Sequence, residues 1–205
     1  MSKYRTQTGT EIEDKKSLAF NQYQESVLKN IPAEKLMTLY KDIADIEYGP
    51  LEDWQIVSPL ANYTEEVFGT MSALDYIDDL VDKNKLVLYQ GKNLKTNTGN
   101  IAGETAVFRP DLNPSLYDGP DTLFVREWGG VNTPYKWDTE LEELDTILHE
   151  LGHTHDIKGV NTPAPVIEKG GRDNLLIHSE NVSDGHHSHD TWDHKMEEFL
   201  ENYVK

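Results

Sequence analysis

Between Thr139 and Asp156 the chain sets Leu141, Leu144, Ile147, Leu148 and Leu151 at three- and four-residue steps. Only a helix gathers that spacing into one apolar stripe, so this segment has to bury a face against the rest of the protein. Glu140, Glu142 and Glu143 fall in its first turn, where negative charge suits the helix dipole, and Asp138 or Thr139 offers the N-cap. The last turns read His149-Glu150-Leu151-Gly152-His153. On a helix, His149 and His153 lie one turn apart on a face adjoining the stripe, where both imidazoles reach a single metal ion. Glu150 projects beside them, within reach of a proton on metal-bound water. Gly152 removes a side chain where a neighbouring backbone can come close. A fold for this chain has to bury the stripe and keep the histidine face accessible.

Composition narrows the chemistry. The 205 residues hold 37 acidic and 19 basic side chains, a formal charge of −18. That field repels phosphate backbones and anionic membrane surfaces, so nucleic acid is not an expected partner. There is no cysteine, which excludes disulfides, thiol catalysis and thiolate ligands; zinc here has to be held by nitrogen and oxygen. The first thirty residues lack an uninterrupted apolar run of the signal-peptide kind, and no window reaches bilayer-spanning length. The expectation is a chain without membrane insertion, cytoplasmic or exported without a conventional signal peptide, an effector or toxin route included.

The remaining pattern predicts an α+β chain in two parts, a helical region over 1–84 and a catalytic lobe over 85–205. Helical spacing runs from Glu11 to about Asn30 and from Pro32 to about Tyr48, and a third helix starts at the N-cap Thr64 and carries Val67, Met71, Leu74, Ile77, Leu80 and Val81. Short strands are predicted at Leu86–Tyr89, Thr105–Phe108 and Thr122–Val125, with a polar loop from Gly91 to Gly99. The oxygen-rich stretch from Asp111 to Asp121 does not fit a calcium loop, because Leu116 stands at the sixth position and Thr122 at the twelfth. After a long connection from Lys158 to about Asp190, Trp192, Met196, Phe199, Leu200, Tyr203 and Val204 predict a closing helix.

Catalytic zinc takes three protein ligands and a water, so the two histidines need a partner. With its HExxH run the chain resembles the HExxH zinc metallopeptidases, the zincins. The metzincin pattern places glycine three and histidine six residues after the second histidine; here those positions are Asp156 and Gly159. The gluzincin branch takes a glutamate from a later helix, and Met196-Glu197-Glu198-Phe199-Leu200-Glu201-Asn202-Tyr203-Val204 is similar to the glutamate helix of the anthrax lethal-factor-like peptidases. That resemblance implies a zincin-like lobe, Zn2+ as cofactor, and Glu198 as third ligand, with Phe199 and Leu200 as the apolar pair after it and Val204 as the later contact. It covers about the last 65 residues, and the tyrosine those peptidases carry seven residues before the ligand is Thr191 here. Helical geometry alone leans to Glu197, which borders the stripe. Asp156, seven residues after His149, can contact the metal or orient an imidazole, and His178, His186, His187, His189 and His194 are further nitrogen donors.

The function these residues predict is zinc-dependent endopeptidase activity on a protein or peptide substrate. The metal, held by His149, His153 and Glu198, acidifies a water; Glu150 takes its proton and returns it to the leaving amine. His178, Tyr203 and Tyr135 are candidate donors to the oxyanion. Two other classes fit the same residues: a non-catalytic metal-binding or sequestering protein that uses the HExxH helix with the histidine-rich segment, and an acidic interaction or immunity module.

Overall fold

The computed structural model describes residues 3–5, 11–48, 63–96, 99–100, 102–106, 120–127, 139–152, 154 and 186–204. Several helices form within the segments whose apolar spacing predicts them, and their starts follow capping chemistry. Asn21 caps α1 (Gln22–Asn30): its side chain accepts from the Gln24 N–H at 2.8 Å, and the Gln24 side chain accepts from the Asn21 N–H at 3.1 Å. α2 (Ala33–Tyr48) begins directly after Pro32 and buries Leu36, Leu39, Tyr40 and Ile43. The single helix expected from Thr64 is two helices. Thr64 caps α3 (Glu65–Phe68), Gly69 closes it, and a second capping box, Ser72 with Asp75, starts α4 (Ala73–Asp82). Val67 and Val81, which one continuous stripe would bury, are instead 51% and 43% exposed.

Among the described residues six strands form one mixed sheet: β1 (Lys3–Arg5), β2 (Glu11–Ser17), β3 (Leu86–Thr96), β4 (Gly99–Asn100), β5 (Gly103–Ala106) and β6 (Asp121–Arg126). Their order is β1-β2-β3-β6-β5, with β4 paired to the end of β3. β3 and β6 run parallel, Leu86 opposite Asp121 through Gly91 opposite Arg126; every other pair is antiparallel. Two sequence expectations change here for one reason. The helix expected from Glu11 is strand β2 as far as Ser17, and most of the loop expected after Gly91 is strand β3, which continues to Thr96. These polar segments pair with each other, setting Glu11 opposite Lys95 and Glu13 opposite Lys92, and cross-strand contacts of Lys92 with Asp14 at 3.7 Å and of the Asn93 amide donating to Glu13 at 2.8 Å support a ladder that neither sequence announces alone. Gly91 marks a close approach: a Cβ there would lie 2.5 Å from Ile12 Cγ1 and 2.7 Å from the Glu13 carbonyl oxygen. Two register shifts bend β2 against β3, with Asp14 and Asn93 at φ values of 52° and 48°.

The helices cover one face of the sheet. Leu86, Leu88 and Leu123 from that face join α1, α2, α4, α5 (Thr139–Gly152) and α6 (His186–Glu201) in the main apolar cluster. On the other face Ile12, Leu94 and Phe124 form a small second cluster, where Tyr89 stacks on Phe124 at 5.7 Å. The division drawn at residue 84 falls between α4 and β3, yet the main cluster runs across it and β2 hydrogen-bonds to β3. Among the described residues no helix is long and apolar enough to cross a membrane.

Candidate metal centre

All five stripe residues of α5 are buried, at 0–2% exposure, and the helix lies against β5, β6, α1 and α6. Burial alone fixes the face of a helix but lets it slide; three directional contacts fix α5 along its length. From α1, the Gln24 amide donates to the Glu140 carbonyl at 2.9 Å. From β3, the Gln90 amide donates to Glu143 Oε1 at 2.7 Å. From α2, the fully buried Tyr40 hydroxyl donates to the Leu148 carbonyl at 2.6 Å, directly before the motif. Burial holds the Tyr40 phenol well above its ordinary pKa, so the hydroxyl keeps this proton. Burial also raises the Glu143 carboxyl above its usual value, with the Gln90 and Gln24 hydrogen bonds opposing the shift.

Four of the five motif residues, His149 to Gly152, are helical as expected. His149 is half-buried in the last turn, where the negative end of the helix dipole favours a cation. Glu150 is 7% exposed and turns toward β5. There the Thr105 hydroxyl lies 2.5 Å from Glu150 Oε2 and 2.9 Å from the Glu150 carbonyl oxygen, donating between them. Gly103, two residues earlier and so on the same face of the strand, supplies the space: a Cβ on it would lie 2.8 Å from Glu150 Cγ and 2.8 Å from Oε1. After Gly152 the chain turns, and both the backbone N–H and the hydroxyl of Thr154 donate to the Leu151 carbonyl, at 3.0 and 2.7 Å. β5 is the sheet's edge strand among the described residues, so Glu150 sits where a sheet edge meets the motif helix.

The closing helix α6 begins at His186, ahead of the predicted start near Trp192, and packs on α5 and α2 through buried Met196 and Leu200. Glu198 is on its solvent side, with its side chain 65% exposed and 3.9 Å from Lys195 Nζ. Glu197 is half-buried beside Met196. Tyr203 is half-buried too, its ring 5.0 Å from that of Phe199. His153, Asp156, His178 and Tyr135 lie outside the described residues, as do the strand end at Val107-Phe108 and most of the stretch from Asp111 to Asp121. Among the described residues no three His, Asp or Glu side chains gather as a metal ion requires. The motif rests on residues that belong to no motif themselves: Tyr40, Gln24, Gln90, Thr105 and Gly103. Of these only Gly103-Glu104-Thr105 carried a signal, a small residue and a hydroxyl alternating on a short strand. No known protein family, curated protein or solved structure matches this chain.

Proposed function

We propose that this protein is a zinc-dependent endopeptidase of the HExxH type, with His149, His153 and a glutamate of α6 holding the metal and Glu150 acting as general base. The donor chemistry fits: the chain offers nitrogen and oxygen but no sulfur, and His149 stands at the cation-favouring end of α5. Bound zinc supplies Lewis acidity and an acidified water. The observation that carries the reading is the position of Glu150, buried against β5, the edge strand among the described residues. An extended peptide that adds to the outer edge of β5 through backbone hydrogen bonds runs past this carboxylate, which brings scissile bond and base together. Glu150 takes the proton of the attacking water and hands it to the departing amine. α6 offers two glutamates for the third ligand, Glu198 from the resemblance and Glu197 from the geometry. Glu197 is half-buried beside Met196 while the Glu198 side chain is 65% exposed, so Glu197 takes the third position in this reading.

The test is Glu150→Gln in the full chain. We expect one zinc per chain and an unchanged fold, with casein hydrolysis reduced by at least about 100-fold, the usual scale for losing a general base. A variant that still cleaves at the wild-type rate overturns the proposal. Several zinc ions per wild-type chain with no hydrolysis speak for metal sequestration. In the same assay Glu197→Ala loses zinc and Glu198→Ala keeps it.

A further inference from the structure

We propose that Thr105 is the positioning residue for Glu150, an inference that rests on the peptidase reading above. The Thr105 hydroxyl is buried and touches one residue twice, at Glu150 Oε2 (2.5 Å) and at the Glu150 carbonyl oxygen (2.9 Å). A hydroxyl has one proton to donate, and sharing it between main chain and side chain ties the carboxylate to the backbone of its own helix. Glutamate has three side-chain torsions; this contact holds the end of the side chain, which lies in the space that the missing Cβ of Gly103 leaves.

The geometry has a second consequence. Thr105 lies in the middle of β5, paired to β6 with Thr105 opposite Leu123. Among the described residues the same strand is the outer one, along which a peptide would add, so the register of the substrate and the location of the base are both set from β5. Removing the hydroxyl frees the carboxylate to rotate without changing the edge that the peptide binds. The loss therefore falls on turnover and spares binding, because an error of about 1 Å in a reacting group costs on the order of 100-fold in rate.

Thr105→Val keeps the shape and removes the donor; Thr105→Ser keeps the donor. With fluorescein-labelled casein as the probe, we expect Thr105→Val to lower kcat by about 10- to 100-fold at nearly constant KM and unchanged zinc content, and Thr105→Ser to stay within about 3-fold of wild type. A stability cycle supplies a readout independent of activity: urea unfolding of Thr105→Val, Glu150→Ala and the double variant. Coupling between the two sites supports the contact, since the second substitution then costs less once the first is made. Additive costs overturn the inference, as do a Thr105→Val enzyme with wild-type kcat or a Thr105→Ser enzyme as slow as Thr105→Val. A wild-type protein that cleaves no casein while the cycle shows coupling overturns the peptidase reading and leaves the contact standing.

Discussion

Replacing Gly103 with alanine drives a methyl group into the carboxylate of Glu150. The added Cβ would lie 2.8 Å from Cγ and Oε1 and 3.0 Å from Cδ, against about 3.5–4.0 Å for a relaxed carbon contact. The shortfall, roughly 0.5–1 Å, has two ways to be relieved. Glu150 can swing away, which gives up the Thr105 hydrogen bond inside a buried site, or β5 can retreat, which strains its pairing with Val125 on β6. Either route costs about 1–3 kcal/mol, as lost buried hydrogen bonds and overpacking usually do. Alanine returns about 0.4–1 kcal/mol by restricting the unfolded chain, and Gly103 shows no left-handed φ to oppose it. The net loss centres on about 1 kcal/mol, or roughly 2–4 °C in Tm for a chain of this size. Calorimetry or urea unfolding measures it, and the decisive comparison is the same substitution in a Glu150→Ala background. There the obstruction is gone, and Gly103→Ala becomes neutral or slightly stabilising. Equal costs in the two backgrounds would refute the reasoning, as would no cost in the wild type.

Tyr40→Phe removes the buried hydroxyl that reaches the Leu148 carbonyl; we expect about 1–2 kcal/mol of lost stability and faster amide exchange in the last turn of α5, and an unchanged urea midpoint argues against the tether. Glu143→Gln tests the half-buried carboxyl. Its folded pKa is raised by burial, so the folded state binds its proton more tightly than the unfolded one and wild-type stability falls as pH rises from the ordinary carboxylate value through the raised folded value. Glutamine can still accept from Gln90 and carries no charge, so the variant is more stable than wild type at neutral pH, and the gap narrows on acidification through that window. A gap that is constant with pH, or of the opposite sign, contradicts the assignment.

The sequence disclosed α5 because a 3.6-residue period is a property of one segment, and the five residues that set the period are all buried. It disclosed β6 by the same local logic, in the apolar run Leu123-Phe124-Val125. It hid β2 and the far half of β3 because their stabilisation belongs to the pair: Glu13 and Lys92 are ordinary surface residues until they face each other. It also hid the break between α3 and α4, where Gly69 and the Ser72–Asp75 box interrupt a stripe that looks continuous on paper. The site divides along the same line. His149, Glu150 and His153 are visible as a motif, while the groups that hold Glu150 and α5 come from strands and helices far away in the chain, where spacing carries no information.

The distance between Tyr40 and Leu148, 108 positions, gives the tether a consequence in time. α1 and α2 leave the ribosome long before α5 exists, and the motif helix can lock only onto a surface that is already in place. At synthesis rates of about 5–20 residues per second, that surface waits on the order of 5–20 s with Leu36, Tyr40 and Ile43 lacking their later cover. α1, against which α5 packs, and α2, which tethers it through Tyr40, thus have to stay soluble and open for that interval. Their charged outer positions, Glu34, Lys35 and Asp42 among them, keep the waiting segment in solution until the histidines arrive.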